Sequence, residues 1–105
     1  MVFIESQIFS RLVYGYLSED EYSGLQRHLA LHPGAGVLVR GGGGARKIRW
    51  ASAGRGKSGG VRVIYYWITA DEQILLLTVY SKSEQGTMTA ADLKLISQKI
   101  KGLKE

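Results

Sequence analysis

The sequence predicts an α+β fold: an N-terminal helical hairpin packed on a three- to four-stranded, mainly antiparallel sheet, with a C-terminal helix. Apolar residues recur at helical spacing at both ends of the chain, and three strand-like runs follow one another between them. Consecutive strands with helices grouped at the ends are typical of α+β proteins rather than of alternating βαβ units. A chain of 105 residues is expected to form a single domain, residues 1–105.

Two amphipathic segments predict the helical hairpin. In the first, Ile8, Leu12 and Tyr16 share one stripe. A capping box at residues 18–21 begins the second, because the Ser18 hydroxyl and the Glu21 carboxylate suit the exposed backbone of a first helical turn. Pro33 ends the second helix. The apolar residues of this amphipathic helix are Tyr22, Leu25, Leu29 and Leu31.

The middle of the chain is predicted to form the sheet. The three strand-like runs are Ala45–Ser52, Val61–Thr69 and Ile74–Lys82. A short turn at residues 70–73 joins the last two as an antiparallel hairpin. A short extended piece at residues 37–39 is the possible fourth strand. From Thr89 to Leu103 the helical period returns, and Thr89 and Asp92 resemble a second capping box.

The stretch GRGKSGG at residues 54–60 raises the possibility of nucleotide binding. A P-loop requires a glycine five residues before its Gly-Lys-Ser, and this chain has Ala51 there. It also requires a helix behind the loop, whereas β-branched and aromatic residues follow here. We therefore predict a cationic hairpin between two strands rather than an ATP site.

The distribution of charge points to a polyanionic partner. The formal net charge is +5, from 14 Lys and Arg against 9 Asp and Glu. From residue 40 to residue 62 the chain has basic residues and no acidic one. They are Arg40, Arg46, Lys47, Arg49, Arg55, Lys57 and Arg62. Nucleic acid attracts such a segment through counterion release, although a solvated positive surface would look the same in sequence.

Composition also limits the cellular compartments and the cofactors that are expected for this chain. The chain has no cysteine, which excludes disulfides and thiolate metal sites. It has no apolar run of membrane-spanning length, and polar residues 5–7 interrupt any secretory signal, so a cytoplasmic protein without membrane contact is expected. His28 and His32 lie one helical turn apart without an evident third ligand, so we assign no metal and no cofactor.

Strand alternation predicts which cations share a face of the sheet. Lys47 and Arg49 project together, about 6.6 Å apart at a rise of ~3.3 Å per residue, while Ile48 and Trp50 face the core. Arg62 opens the next strand on the side of its apolar residues. If the register allows, the strands together present Lys47, Arg49, Arg62, Tyr80 and Lys82. The competing interpretation is a set of solvated edge cations that discourage strand pairing.

Such a set of residues suits the cleavage of RNA. When the 2′-hydroxyl attacks the adjacent phosphorus, the reaction needs a base, cations at the phosphoryl oxygens and an acid for the leaving oxygen. Arginine matches phosphate because its planar fork donates two parallel hydrogen bonds. A lysine crowded by other cations, or a carboxylate, is a candidate for the base.

Two stretches of the chain resemble a known family. ARKIRWASAGRGKSGGVRVIYYWI at residues 45–68 and ILLLTVYSKSE at residues 74–84 resemble the RelE/HigB branch of the RelE/ParE toxin superfamily, found in type II toxin–antitoxin modules. The resemblance implies a ribosome-dependent, metal-independent mRNA endonuclease, or mRNA interferase, that cuts the A-site codon. It also implies a cognate antitoxin of helix-turn-helix type, and operator DNA binding only through the antitoxin complex.

The resemblance also implies roles for individual residues. The predicted catalytic residues are Arg62, Lys47, Tyr80 and Lys82, and the predicted RNA-binding residues are Arg46, Arg49, Arg55, Lys57 and Glu84. Many family members have an arginine where this chain has Ser83, and a tyrosine that some carry near the C-terminal helix is absent here. The acid and base therefore stay open among Tyr80, Lys82 and Glu84.

Two other functions stay open at this point. One is inhibition of DNA gyrase, as in the ParE branch of the same superfamily. The other is a non-catalytic RNA-binding or co-repressor subunit. The set of Lys47, Arg49 and Arg62 favours RNA cleavage, because an inhibitor that binds a protein does not require a phosphate site.

Overall fold

The computed structural model describes residues 1–52, 60–84 and 88–104, with side chains described up to residue 99. The helices in these ranges are α1 (Gln7–Tyr16), α2 (Glu19–Leu31) and α3 (Ala90–Lys104). The strands are β1 (Val2–Glu5), β2 (Val37–Leu38), β3 (Arg46–Trp50), β4 (Val61–Ile68) and β5 (Gln73–Ser81). A single 3₁₀ turn, Thr69–Asp71, joins β4 to β5. The α+β class is confirmed.

The sheet has five strands in the order β1-β5-β4-β3-β2, which is more than the three or four that the sequence predicts. Strands β2 to β5 pair antiparallel, as expected, and β1 pairs parallel with β5 at the edge. The sequence prediction missed β1 because it has only four residues and leads directly into α1. Val2 and Ile4 on this strand are also exposed, and Phe3 between them is partly buried against the core.

Side-chain caps fix where the helices begin. Ser18 and Glu21 form the predicted reciprocal capping box at α2, with hydrogen bonds of 2.8 and 3.1 Å. Thr89 and Asp92 form the same arrangement at α3, with bonds of 3.0 and 3.2 Å. At α1 the Phe9 backbone N–H donates to the Ser6 hydroxyl at 3.0 Å. Because each cap satisfies N–H groups that the helix leaves unpaired, these starts are encoded locally.

Helices cover both faces of the sheet, and we name the faces after them. On the hairpin face, α1 and α2 bury a core of Phe9, Val13, Leu17, Leu25 and Leu29 against Ile48, Val63, Tyr65 and Leu76. On the α3 face, Leu93 packs with Ala45, Ile64, Tyr66 and Leu77. Leu31, the last apolar residue of α2, does not join this core. It lies in the last turn of the helix with 76 % of its surface exposed.

The glycine run at residues 41–44 connects α3 to the sheet. The Ser97 hydroxyl donates to the Gly43 carbonyl at 2.6 Å, and the Tyr66 hydroxyl contacts the carbonyl oxygens of Gly42 and Leu93. Gly43 has φ +69°, and a Cβ there would lie 2.8 Å from the Ser97 Cβ. A side chain at this position would therefore push α3 away from the loop.

Gly60 fixes the start of β4, and its replacement is expected to destabilise the fold. Its φ is +73°, and a Cβ would lie 2.3 Å from the carbonyl oxygen of Trp50. Gly60→Ala should therefore lower the free energy of unfolding by about 1–3 kcal/mol, which urea denaturation measures. Gly15→Ala is the matched control, because nothing lies within 4 Å of a Cβ there and alanine favours the helix. Equal stability of the two variants would contradict this account of Gly60.

None of the helices within the described ranges combines the length and the apolar character needed to span a membrane.

Candidate functional site

The strand register places three of the predicted site residues in one row across the sheet. Arg49 on β3 lies directly opposite Arg62 on β4, and Arg62 lies directly opposite Tyr80 on β5. Neighbouring strands are about 4.8 Å apart, so the row spans roughly 10 Å. The side chains of this row lie on the α3 face of the sheet. Arg62 shares the face of Ile64, two residues later, and Tyr80 packs with the core of that face.

Lys47 lies beside this row on the same face. It is two residues from Arg49 along β3 and directly opposite Ile64. Lys47 and Arg49 are exposed, whereas Ile48 between them is buried on the hairpin face, as the alternation predicts. We refer to Lys47, Arg49, Arg62 and Tyr80 as the basic cluster.

A bulge in β5 brings Tyr80 to the side of Arg62. The register shifts so that Ile64 pairs with Thr78 while Tyr65 pairs with Leu76, and β5 therefore has one extra residue. Leu75 and Tyr80 both pack on the α3 face although five positions separate them, which simple alternation forbids. Without the bulge, Tyr80 would point to the hairpin face. Bulges are common beside active sites because they redirect a side chain in this way.

The cluster places two like charges side by side. Arg49 and Arg62 are direct cross-strand partners, and like charges in this arrangement repel each other. Burial raises the pKa of the Tyr80 hydroxyl above its usual value, and the nearby Arg62 charge offsets only part of this effect. Tyr80 is therefore a neutral phenol at physiological pH and can donate its proton. The cluster presents hydrogen-bond donors and positive charge, which together suit a phosphate.

Lys82 and Glu84 follow the cluster along the chain but leave the sheet. Strand β5 ends at Ser81, so Lys82 lies in the next turn, exposed, and strand alternation does not orient it as predicted. Glu84 accepts hydrogen bonds from the Tyr16 hydroxyl at 2.9 Å and from the Ser81 backbone N–H at 3.0 Å. Its carboxylate thus faces α1.

The remaining predicted RNA-binding residues do not join the cluster in the described part of the chain. Arg46 lies on the hairpin face, opposite Tyr65, and donates to the carbonyl oxygens of Gly34 and Gly36 at 3.2 and 2.9 Å. It thereby holds the loop between α2 and β2 against the sheet. Arg55 and Lys57, with the predicted cationic hairpin, lie outside the described residues.

Tyr16, which the sequence predicts on the apolar stripe of the first helix, also contacts this end of the sheet. The Ser52 hydroxyl donates to its carbonyl oxygen, and its own hydroxyl donates to Glu84. These partners are 36 and 68 residues away, so no local signal identifies them. Within residues 1–52, 60–84 and 88–104, no group of three or more His, Asp and Glu side chains is placed to hold a metal ion.

No protein-family model matches the chain.

Proposed function

We propose that this protein is a cytoplasmic, RelE/HigB-like toxin of a type II toxin–antitoxin system, a ribosome-dependent, metal-independent endonuclease that cuts the A-site codon of mRNA. The basic cluster is the observation that carries the proposal. Three strands contribute two arginines, a lysine and a protonated phenol to one face, and a β-bulge is required to assemble them. Two arginines placed directly opposite each other repel, and a bound phosphate would offset that repulsion.

The cluster supplies most of what RNA cleavage needs. The 2′-oxygen forms a bond to phosphorus while the bond from phosphorus to the next 5′-oxygen breaks, which yields a 2′,3′-cyclic phosphate and a 5′-hydroxyl. Arg62 and Arg49 would stabilise the negative charge that develops on the phosphoryl oxygens. Tyr80, as a neutral phenol, is suited to protonate the 5′-oxygen.

Lys47 and Lys82 would contact phosphates, and a lysine could accept the 2′-hydroxyl proton only in its uncharged form. With the lysines charged, the 2′-hydroxyl proton would pass to water while Tyr80 gives its proton to the 5′-oxygen. The described strands contain no histidine, so the usual base for neutral pH is absent from them. We propose that the ribosome orients the attacking hydroxyl, since positioning alone contributes several kcal/mol to such a reaction.

The other predicted contacts and partners are part of the same proposal. Arg49 belongs to the cluster, and Arg46, Arg55, Lys57 and Glu84 stay predictions as RNA contacts. The cognate antitoxin would be of helix-turn-helix type, and operator DNA would be bound only through the antitoxin complex.

Purified ribosomes carrying a defined mRNA test this function directly. We expect the protein to cut within the A-site codon, to leave 2′,3′-cyclic phosphate ends and to cut free RNA very poorly. Mapping of mRNA ends after brief induction provides the same test in cells. DNA breaks with an SOS response and intact mRNA would indicate a gyrase inhibitor instead. RNA binding with neither kind of damage would indicate a non-catalytic subunit.

Lys47→Gln and Arg49→Gln are expected to weaken binding to ribosomes with a shallower salt dependence. Each lost phosphate contact should reduce the slope of log affinity against log salt concentration by roughly 0.7–0.9. Binding measured across a salt series gives this slope. Arg49→Gln should not lower the free energy of unfolding, because it removes the repulsion from Arg62.

Arg11→Gln is the matched control for these variants, because Arg11 is an exposed cation on α1. It should leave the slope unchanged. If Lys47→Gln and Arg49→Gln behaved like this control, both residues would be ordinary surface charges.

A further inference from the structure

One residue of α1 holds both chain segments that leave the sheet beside the basic cluster. The Ser52 hydroxyl, just past β3, donates to the Tyr16 carbonyl oxygen at 2.5 Å. The Tyr16 hydroxyl donates to the two carboxylate oxygens of Glu84, just past β5, at 2.9 and 3.1 Å. The end of α1 thereby connects the segment after Arg49 with the segment after Tyr80.

Glu84 in turn closes the turn that carries Lys82. The Glu84 backbone N–H donates to the Ser81 carbonyl oxygen at 3.1 Å, which makes Lys82 and Ser83 the central residues of a β-turn. The Glu84 carboxylate accepts from the Ser81 backbone N–H at 3.0 Å and from the Ser81 hydroxyl. An ionised carboxylate is purely an acceptor, so three donors from Tyr16 and Ser81 match it.

The two serine residues of this network are buried, whereas the hydrogen bonds from Tyr16 to Glu84 are exposed. Ser52 and Ser81 retain 6 % and 3 % of their exposure, so solvent cannot replace their internal partners. Burial raises the pKa of the Tyr16 hydroxyl, and the adjacent Glu84 carboxylate raises it further. Tyr16 therefore stays a hydrogen-bond donor to Glu84 across the neutral pH range.

We propose that Tyr16 and Glu84 are positioning residues that hold Lys82 at the Tyr80 end of the basic cluster, a role that rests on the RNA-cleaving function proposed above. Lys82 is exposed on a two-residue turn tip, and the described contacts of its turn come from Ser81 and Glu84. Glu84 then acts through the turn instead of contacting RNA as predicted. The two residues orient a cation for the phosphate and take no part in proton transfer.

Amide hydrogen exchange tests the turn independently of any activity. In Tyr16→Phe and Glu84→Ala, we expect the backbone amides of residues 81–84 to exchange about two- to tenfold faster, as for the loss of one hydrogen bond. Tyr14→Phe is the matched control, because Tyr14 is exposed on the same helix and its ring contacts the Tyr22 ring. Unchanged exchange in both variants would overturn the proposal.

Single-turnover cleavage on ribosomes tests whether the turn acts through Lys82. Tyr16→Phe and Glu84→Ala should lower the maximal rate by up to about 10²-fold, with little change in the half-saturating ribosome concentration. Lys82→Ala combined with Glu84→Ala should be no slower than Lys82→Ala alone. If the rate losses of the two single variants multiplied in the double variant, Glu84 would act independently of Lys82, which would overturn the proposal. If the wild-type protein cut no mRNA, the proposed function would fail, and exchange at residues 81–84 would still decide whether the turn is held.

Discussion

Replacing Arg62 with alanine is expected to slow cleavage of the A-site codon by about 10²–10³-fold, the usual loss when one preorganised charge-stabilising donor is removed. Arg62 is the central member of the row, with Arg49 opposite it on one side and Tyr80 on the other. A phosphate bound over the centre of the row would therefore contact Arg62. The planar guanidinium of Arg62 can donate two parallel hydrogen bonds to it. Single-turnover cleavage on programmed ribosomes measures the rate, and growth arrest after induction should disappear.

Two further variants separate the chemical role of Arg62 from its charge. Arg62→Lys keeps the charge but loses the fork, so its rate should lie between those of the wild type and Arg62→Ala. Arg11→Ala removes an exposed cation from α1 and should leave the rate unchanged. Thermal unfolding checks that Arg62→Ala keeps its fold. Growth arrest by Arg62→Ala at normal expression would show that this residue is not the phosphate clamp.

Local signals in the sequence predicted most of the fold. The capping boxes at Ser18 and Thr89 and the periodicity of the helices depend on residues three or four positions apart. Strand β1 could not be predicted, because it is defined by parallel pairing with β5 about 70 residues away. The glycine run at residues 41–44 was ambiguous for the same reason, since its conformation depends on contacts with Tyr66 and Ser97.

The candidate site was predictable only within single strands. Alternation placed Lys47 and Arg49 together and turned Ile48 inward, and the structure confirms this arrangement. Which residues of β4 and β5 meet depends on the bulge near Thr78, for which the sequence has no marker. Alternation alone places Arg46 on the face of Ile48, where it holds a loop, but it does not show that β5 ends at Ser81 and leaves Lys82 in a turn.

The acid–base assignment depends on the end of β5, where the chain departs from the family pattern at Ser83. Tyr80 is the one residue of this segment that is both on the α3 face and opposite Arg62. Because burial raises the pKa of its hydroxyl above the usual value, the protonated form that can donate to the leaving oxygen should persist through the neutral and mildly alkaline range. The ratio of the wild-type rate to the Tyr80→Phe rate should then stay constant through the neutral and mildly alkaline range.

Tyr80→Phe and Lys82→Ala are each expected to slow single-turnover cleavage on ribosomes by roughly 10–10⁴-fold, the span around typical acid–base contributions. Tyr80→Phe removes only the hydroxyl and keeps the ring that packs beside Leu77, so the fold is preserved. Glu84→Gln should cost less, because an amide oxygen can still accept from Tyr16. If the Tyr80→Phe, Lys82→Ala double variant cleaved mRNA at the full rate, proton transfer would not depend on the end of β5. Lys47 or the ribosome itself would then supply it.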